Sequence, residues 1–122
     1  MKIVPKYHSL HRLLMAISGF FISLKRERHL KIQCGMITMA CCLASYLSIS
    51  RIEWILLLMS YSIVICFELM NTAVETNVDL VTKRFKYRAK LAKDIAASAV
   101  LISSLIALLS SYLIFAPYLA TL

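Results

Sequence analysis

The stretch Cys66–Val81, CFELMNTAVETNVDLV, places four polar residues at helical spacing inside an apolar stretch: Glu68, Asn71, Glu75 and Asp79. At 100° per residue, offsets of 3, 7 and 11 bring all four within roughly 60° of one helix face. Immediately upstream, WILLLMSYSIVICF (Trp54 to Phe67) contains no charge. As one helix, 54–81 would run roughly 40 Å, more than a hydrocarbon core requires. Its C-terminal third is therefore expected to emerge at one membrane face. Three carboxylates on one stripe beside a membrane span are costly and point to function.

The flanking sequence extends this reading. The chain has 122 residues, room for one domain spanning 1–122. Hydrophobic residues make up 61% and mean hydropathy is +0.78, above the apolar share of ordinary soluble domains. With two glycines and two prolines, turn material is scarce and a few long helices are expected. Residues 32–49, IQCGMITMACCLASYLSI, form an uncharged run just long enough to cross a bilayer core. Residues 89–115 form another span, opened by Lys90, Lys93 and Asp94 and ended by Pro117. Its small residues, such as Ala96, Ala97, Ser103 and Ser104, suit close helix packing in lipid. Residues 9–31 form an interfacial segment. Leu10, Leu13, Leu14, Ile17 and Leu24 recur at helical spacing opposite His11, Arg12 and Ser18, and Ser9 is a candidate N-cap. The expected fold is an all-α membrane protein: an N-terminal amphipathic surface helix plus three transmembrane helices.

Charge sets the orientation. Seven Lys/Arg precede Cys34 and six lie between Lys83 and Lys93, whereas Arg51 stands alone in the connection between the first two spans. The positive-inside rule places the N-terminus and the 82–93 connection on the cytoplasmic side of the membrane. Glu27, Glu68, Glu75, Asp79, Lys93 and Asp94 then share one membrane face. Carboxylates at one depth among basic residues can bind a divalent cation and a phosphorylated ligand. Trp54 is expected to anchor the opposite interface. The net charge of +8 is assigned to an anionic membrane surface and a negatively charged substrate, not to nucleic acid.

Other chemistries find no support. The two glycines, Gly19 and Gly35, cannot build a glycine-rich phosphate cradle, and no GxxxxGK[ST], GxGxxG or HExxH occurs. The histidines His8, His11 and His29 lack metal-ligand spacing. Cys34, Cys41, Cys42 and Cys66 form no CxxC and are expected to be free thiols in the membrane. The opening MKIVPKYHSLHRLL is not followed by a cleavable apolar run, so no removable signal peptide is expected.

The run Glu68-Leu-Met-Asn71-Thr72-Ala73-Val-Glu75-x-x-x-Asp79 resembles the E-x-x-N-[ST]-A-x-E-x-x-x-D signature of the prokaryotic diacylglycerol kinase family. Ala16-x-x-Gly19 followed by Leu24-Lys25-Arg26-Glu27-Arg28 is similar to that family's A-x-x-G…L-K-x-E-R block. Ala92-Lys93-Asp94-Ile95-Ala96-Ala97 resembles its A-K-D-[IM]-A-A block. The blocks come in order, and the resemblance spans about Ala16 to Ala107.

The resemblance implies an ATP-dependent integral membrane lipid kinase with three transmembrane helices and a surface helix. It also implies a homotrimer with active sites shared between subunits. By position, Glu68 matches the general base at the lipid hydroxyl. Glu27 and Glu75 match ligands of the Mg²⁺ ions on the nucleotide phosphates. Asn71, Asp79, Lys93 and Asp94 match further active-site and nucleotide-binding positions. The chemistry agrees: an alcohol attacking the γ-phosphorus must lose its proton, and a cation beside the transferring group offsets its charge.

The family has an undecaprenol branch and a diacylglycerol branch. Arg28-x-x-Lys31-Ile32 resembles the E-R-N-x-R-I-H run of the first, and Leu91 to Ala97 its L-A-K-x-A-K-D-I-A-A run. His29, Gln33, Asn77 and Ser98 depart from it. Undecaprenol is the favoured acceptor and diacylglycerol, giving phosphatidic acid, the alternative. Outside kinase chemistry, the competing classes are a small membrane transporter and a non-enzymatic membrane protein. A transporter carboxylate belongs near the bilayer midplane, not at one face.

Overall fold

A computed structural model describes residues 9–121. His8 and most of the opening run considered for a signal peptide lie outside them. The described chain is helical: α1 (Ser9–Arg26), α2 (Arg28–Tyr46), α3 (Arg51–Val81) and α4 (Tyr87–Leu119).

The interfacial segment expected over 9–31 is divided. α1 stops at Arg26, Glu27 takes an extended conformation (φ −91°, ψ 117°), and α2 begins at Arg28. The chain barely loosens at this break: Glu27 N still donates to Ser23 O at 2.8 Å, and Lys31 N to Glu27 O at 3.3 Å. Ser9 is itself helical within α1, so it is not a cap ahead of the helix. No α1 residue is buried, as suits a helix whose apolar side meets something other than this chain.

The span expected over 32–49 ends earlier, at Tyr46. Ser48 adopts a positive φ of 52°, which reverses the chain. Ser50 then caps α3 through a capping box: its hydroxyl accepts from Glu53 N, while Glu53 Oε2 accepts from Ser50 N at 2.7 Å. α3 consequently begins at Arg51, three residues before the expected start.

α4 starts at Tyr87 and continues through Pro117 to Leu119. The expectation that Pro117 ends the helix is wrong by one half-turn. A proline in the last turn forfeits one backbone bond, and Ala120 N→Ala116 O and Thr121 N→Tyr118 O close the end regardless. Tyr118 also donates to Glu53 Oε2 at 2.7 Å, fixing this turn on the start of α3.

α3 and α4 pack along their length as an antiparallel pair, while α1 and α2 touch the rest more locally. Three side-chain contacts mark one continuous register: Glu53–Tyr118 at one end, Tyr61–Ser111 (2.7 Å) in the middle and Asp79–Lys93 at the other. Small side chains allow the close approach: Ser60, Ser103 and Ala107 are buried. The hydroxyls of Ser60 and Ser103 bond back to their own helices, so neither is orphaned.

The buried apolar cluster lies at the Glu53–Tyr118 end, while Leu30 is buried separately near the start of α2. Ala44, Ile49, Leu57, Ile114 and Phe115 form the cluster, with Trp54, Tyr61 and Tyr118 packed against them. Trp54 is thus a packing residue at that end as well as a candidate interface anchor. Large apolar side chains such as Ile63, Met70, Leu101, Leu105 and Leu109 stay exposed along the long helices. Such surface marks contact with lipid or partner chains. α3 and α4 are each long and apolar enough to cross a membrane.

Candidate active site

The polar stripe forms on α3 as its spacing requires, at the end opposite the core. Glu68 is buried, with 6% of its surface exposed. It is the one buried acidic residue among the described residues. Its Oε2 accepts from Gln33 Nε2 of α2 at 3.4 Å. One turn on, Asn71 Nδ2 donates to Glu75 Oε1 at 3.2 Å, orienting that carboxylate. Asn71 Oδ1 and Gln33 Oε1 are both buried without a hydrogen-bond partner. Two amides therefore each serve a carboxylate of the stripe and leave their own oxygens unsatisfied.

Asp79 and Lys93 meet where α3 emerges and α4 begins. Lys93 Nζ lies 2.6 Å from Asp79 Oδ1, with side chains 35% and 56% exposed. Asp94, the next residue, turns away to pair with Lys90 along α4, both being exposed. It stands in the second turn of α4, because the helix begins at Tyr87. Lys93 and Asp94 are thus adjacent in sequence but engaged with different partners.

Glu27 reaches a neighbouring face of α3. It is half-buried in a groove of about 280 Å³ shared with Ile22, Ser23, Thr72, Ala73 and Thr76. Thr72 and Thr76 flank Glu75 on α3, so the break between α1 and α2 brings Glu27 to the turn that carries Glu75. Among the described residues, no three Asp, Glu, His or Cys side chains form a ready metal cage. Cys34, Cys41, Cys42 and Cys66 are free thiols, as expected.

Sequence reasoning placed Gln33 only as a departure from a family pattern. Its contact with Glu68 depends on where α2 meets α3, which no local spacing encodes. The Ser50-x-x-Glu53 capping box did have a sequence signature.

What assembles is a buried carboxylate, a second carboxylate held by an amide, and an acid–base pair at the helix mouth. This set can accept a proton, coordinate a hard cation and offset phosphate charge. Comparison with known proteins leads the same way. The prokaryotic diacylglycerol kinase family matches residues 14–115. An undecaprenol kinase of Bacillus subtilis is 32% identical over 99 residues, covering 81% of this chain and 80% of that protein. A diacylglycerol kinase of Helicobacter pylori is 43% identical over 60 residues, about half of each chain. The chain belongs to the prokaryotic diacylglycerol kinase family and is a membrane lipid kinase.

Proposed function

We propose that this kinase transfers the γ-phosphate of ATP, with Mg²⁺, to the hydroxyl of undecaprenol at the cytoplasmic face of the bacterial inner membrane. The observation that carries the reading is the burial of Glu68 in hydrogen-bond contact with α2, in an apolar helix with the remaining stripe leading outward to Asp79 and Lys93. Such a site admits a lipid from the bilayer and a nucleotide from water. Glu68 takes the alcohol proton as the alcohol oxygen bonds to the γ-phosphorus, and the bond to the bridging oxygen breaks with ADP leaving. Asn71 holds Glu75. Lys93, paired with Asp79, stands on the nucleotide side and its ammonium offsets charge on the transferring group; Asp94 joins that side on leaving Lys90.

The donor set fits Mg²⁺. That ion is usually held by one or two carboxylates plus substrate phosphates and waters, not by a full protein cage. Glu27 and Glu75 are the two carboxylates, and the amide on Glu75 Oε1 leaves Oε2 for the cation. When bound, Mg²⁺ neutralises the phosphate charge and orients the chain of phosphates.

Undecaprenol is favoured because similarity to the undecaprenol kinase covers most of the chain. The shorter match, of higher identity, to a diacylglycerol kinase supports diacylglycerol as the second reading. α2 serves as a third membrane span, and the exposed apolar faces of α3 and α4 suit a homotrimer. Glu75→Gln separates the kinase from a transporter or adaptor. With expression and assembly retained, it is expected to abolish phosphoryl transfer. Transfer at the parent rate would remove Glu75 from the site.

A further inference from the structure

Gln33 lies outside the stripe and outside the roles assigned above. It sits half-buried near the start of α2, and its Nε2 makes the only hydrogen bond to the Glu68 carboxylate among the described residues, at 3.4 Å. At 3.4 Å the contact is long, and catalytic contacts are often long without substrate. The amide's orientation has a physical cause. Turned over, it would set Oε1 against a carboxylate oxygen, two acceptors face to face. In the orientation adopted, Oε1 is buried without a partner. The side chain thus leaves one polar atom unsatisfied while keeping its donor on Glu68. Gln33 also lines a groove of about 550 Å³ with Met36, Tyr61, Val64, Ala107 and Leu108. The amide stands where an apolar channel along the helices meets the buried carboxylate.

We propose that Gln33 is a positioning residue for the phosphoryl transfer: it holds Glu68 Oε2 so that Oε1 stays directed at the lipid hydroxyl. The inference rests on the reading above, in which Glu68 is the base. A glutamate in an apolar setting has three side-chain torsions and little else to fix it. One anchored oxygen restricts the directions open to the other. Gln33 itself touches no reacting atom. The alcohol proton passes to Glu68, the alcohol oxygen bonds to phosphorus, and ADP departs with the electron pair of the broken bond.

The test compares Gln33→Met, which keeps length and removes the donor, with Gln33→His, which restores an N–H. Gln33→Asn, one methylene short of Glu68, is a second variant lacking the contact. All are full-length proteins in micelles with undecaprenol, ATP and Mg²⁺. Gln33→Met and Gln33→Asn are expected to lower kcat about 10- to 100-fold, with KM for both substrates within about twofold. Gln33→His is expected to recover most of the loss. Independently of activity, the infrared carboxylate band that disappears in Glu68→Gln shifts in Gln33→Met and returns in Gln33→His. A parent-like kcat in Gln33→Met, a change confined to the lipid KM, or an unmoved band overturns the proposal. A parent protein that phosphorylates no lipid alcohol overturns the underlying reading instead, and the infrared band still decides whether Gln33 holds Glu68.

Discussion

Glu68 and Asp79 sit on the same stripe, three turns apart, yet in opposite environments. Glu68 is buried against α2, whereas Asp79 is more than half exposed and paired with Lys93. Their substitutions should therefore fail differently. Glu68→Gln keeps the shape and removes the proton acceptor. It is expected to lower kcat by about 10²- to 10⁴-fold with KM for ATP little changed, measured by steady-state transfer in micelles. Asp79→Asn breaks a solvent-screened pair worth about 0–1 kcal/mol. It should leave thermal stability close to the parent while reducing transfer, because Lys93 loses the partner that holds it. Parent-like activity in Asp79→Asn would make the pair a surface ion pair only. The stripe was legible because Glu68, Asn71, Glu75 and Asp79 encode their shared face by spacing alone. Gln33 was not, because its role arises only when α2 docks on α3.

At the scale of elements, the long antiparallel pair α3–α4 separates stability from chemistry. The core residues and the Ser50–Glu53–Tyr118 contacts gather at one end, and the stripe at the other. Leu57, fully buried, should cost about 2–5 kcal/mol on truncation to Ala, and Ser50→Ala about 1 kcal/mol through its cap. Both are measured by unfolding in micelles. Either variant, once folded, should retain the parent KM for ATP. A KM that rises as stability falls would contradict the separation of the two ends. The lengths of these helices were readable from apolar runs without glycine. Three boundaries were not. Lys25 to Lys31 contains no glycine or proline, so the break at Glu27 leaves no local mark. Pro117 suggested a stop, but a last-turn proline leaves the closing bonds intact. The start of α3 is set by a capping box that a search for charge-free runs passes over.

For the whole molecule, the distribution of charge and apolar surface dictates placement. Thirteen of the fourteen basic residues lie at or before Lys31 or between Lys83 and Lys93, and only Arg51 lies in the connection between α2 and α3. The proposed three-span arrangement puts the turn near Ser48 on the side opposite the active site. In a background without native cysteines, Ser48→Cys should react with an impermeant thiol reagent added outside intact cells, and Lys86→Cys only after lysis. Labelling of both from the same side would contradict the three-span arrangement. The membrane character was legible from composition, whereas what covers the exposed apolar faces of α3 and α4 depends on contacts beyond one chain.

The most direct test of the central claim is phosphoryl transfer from γ-labelled ATP by the purified protein, in mixed micelles holding undecaprenol and diacylglycerol together, beside Glu68→Gln. The account predicts Mg²⁺-dependent label chiefly in undecaprenyl phosphate, and its loss in Glu68→Gln. Label chiefly in phosphatidic acid would overturn the choice of acceptor while keeping the kinase. Label in neither lipid, or transfer undiminished in Glu68→Gln, would contradict the account.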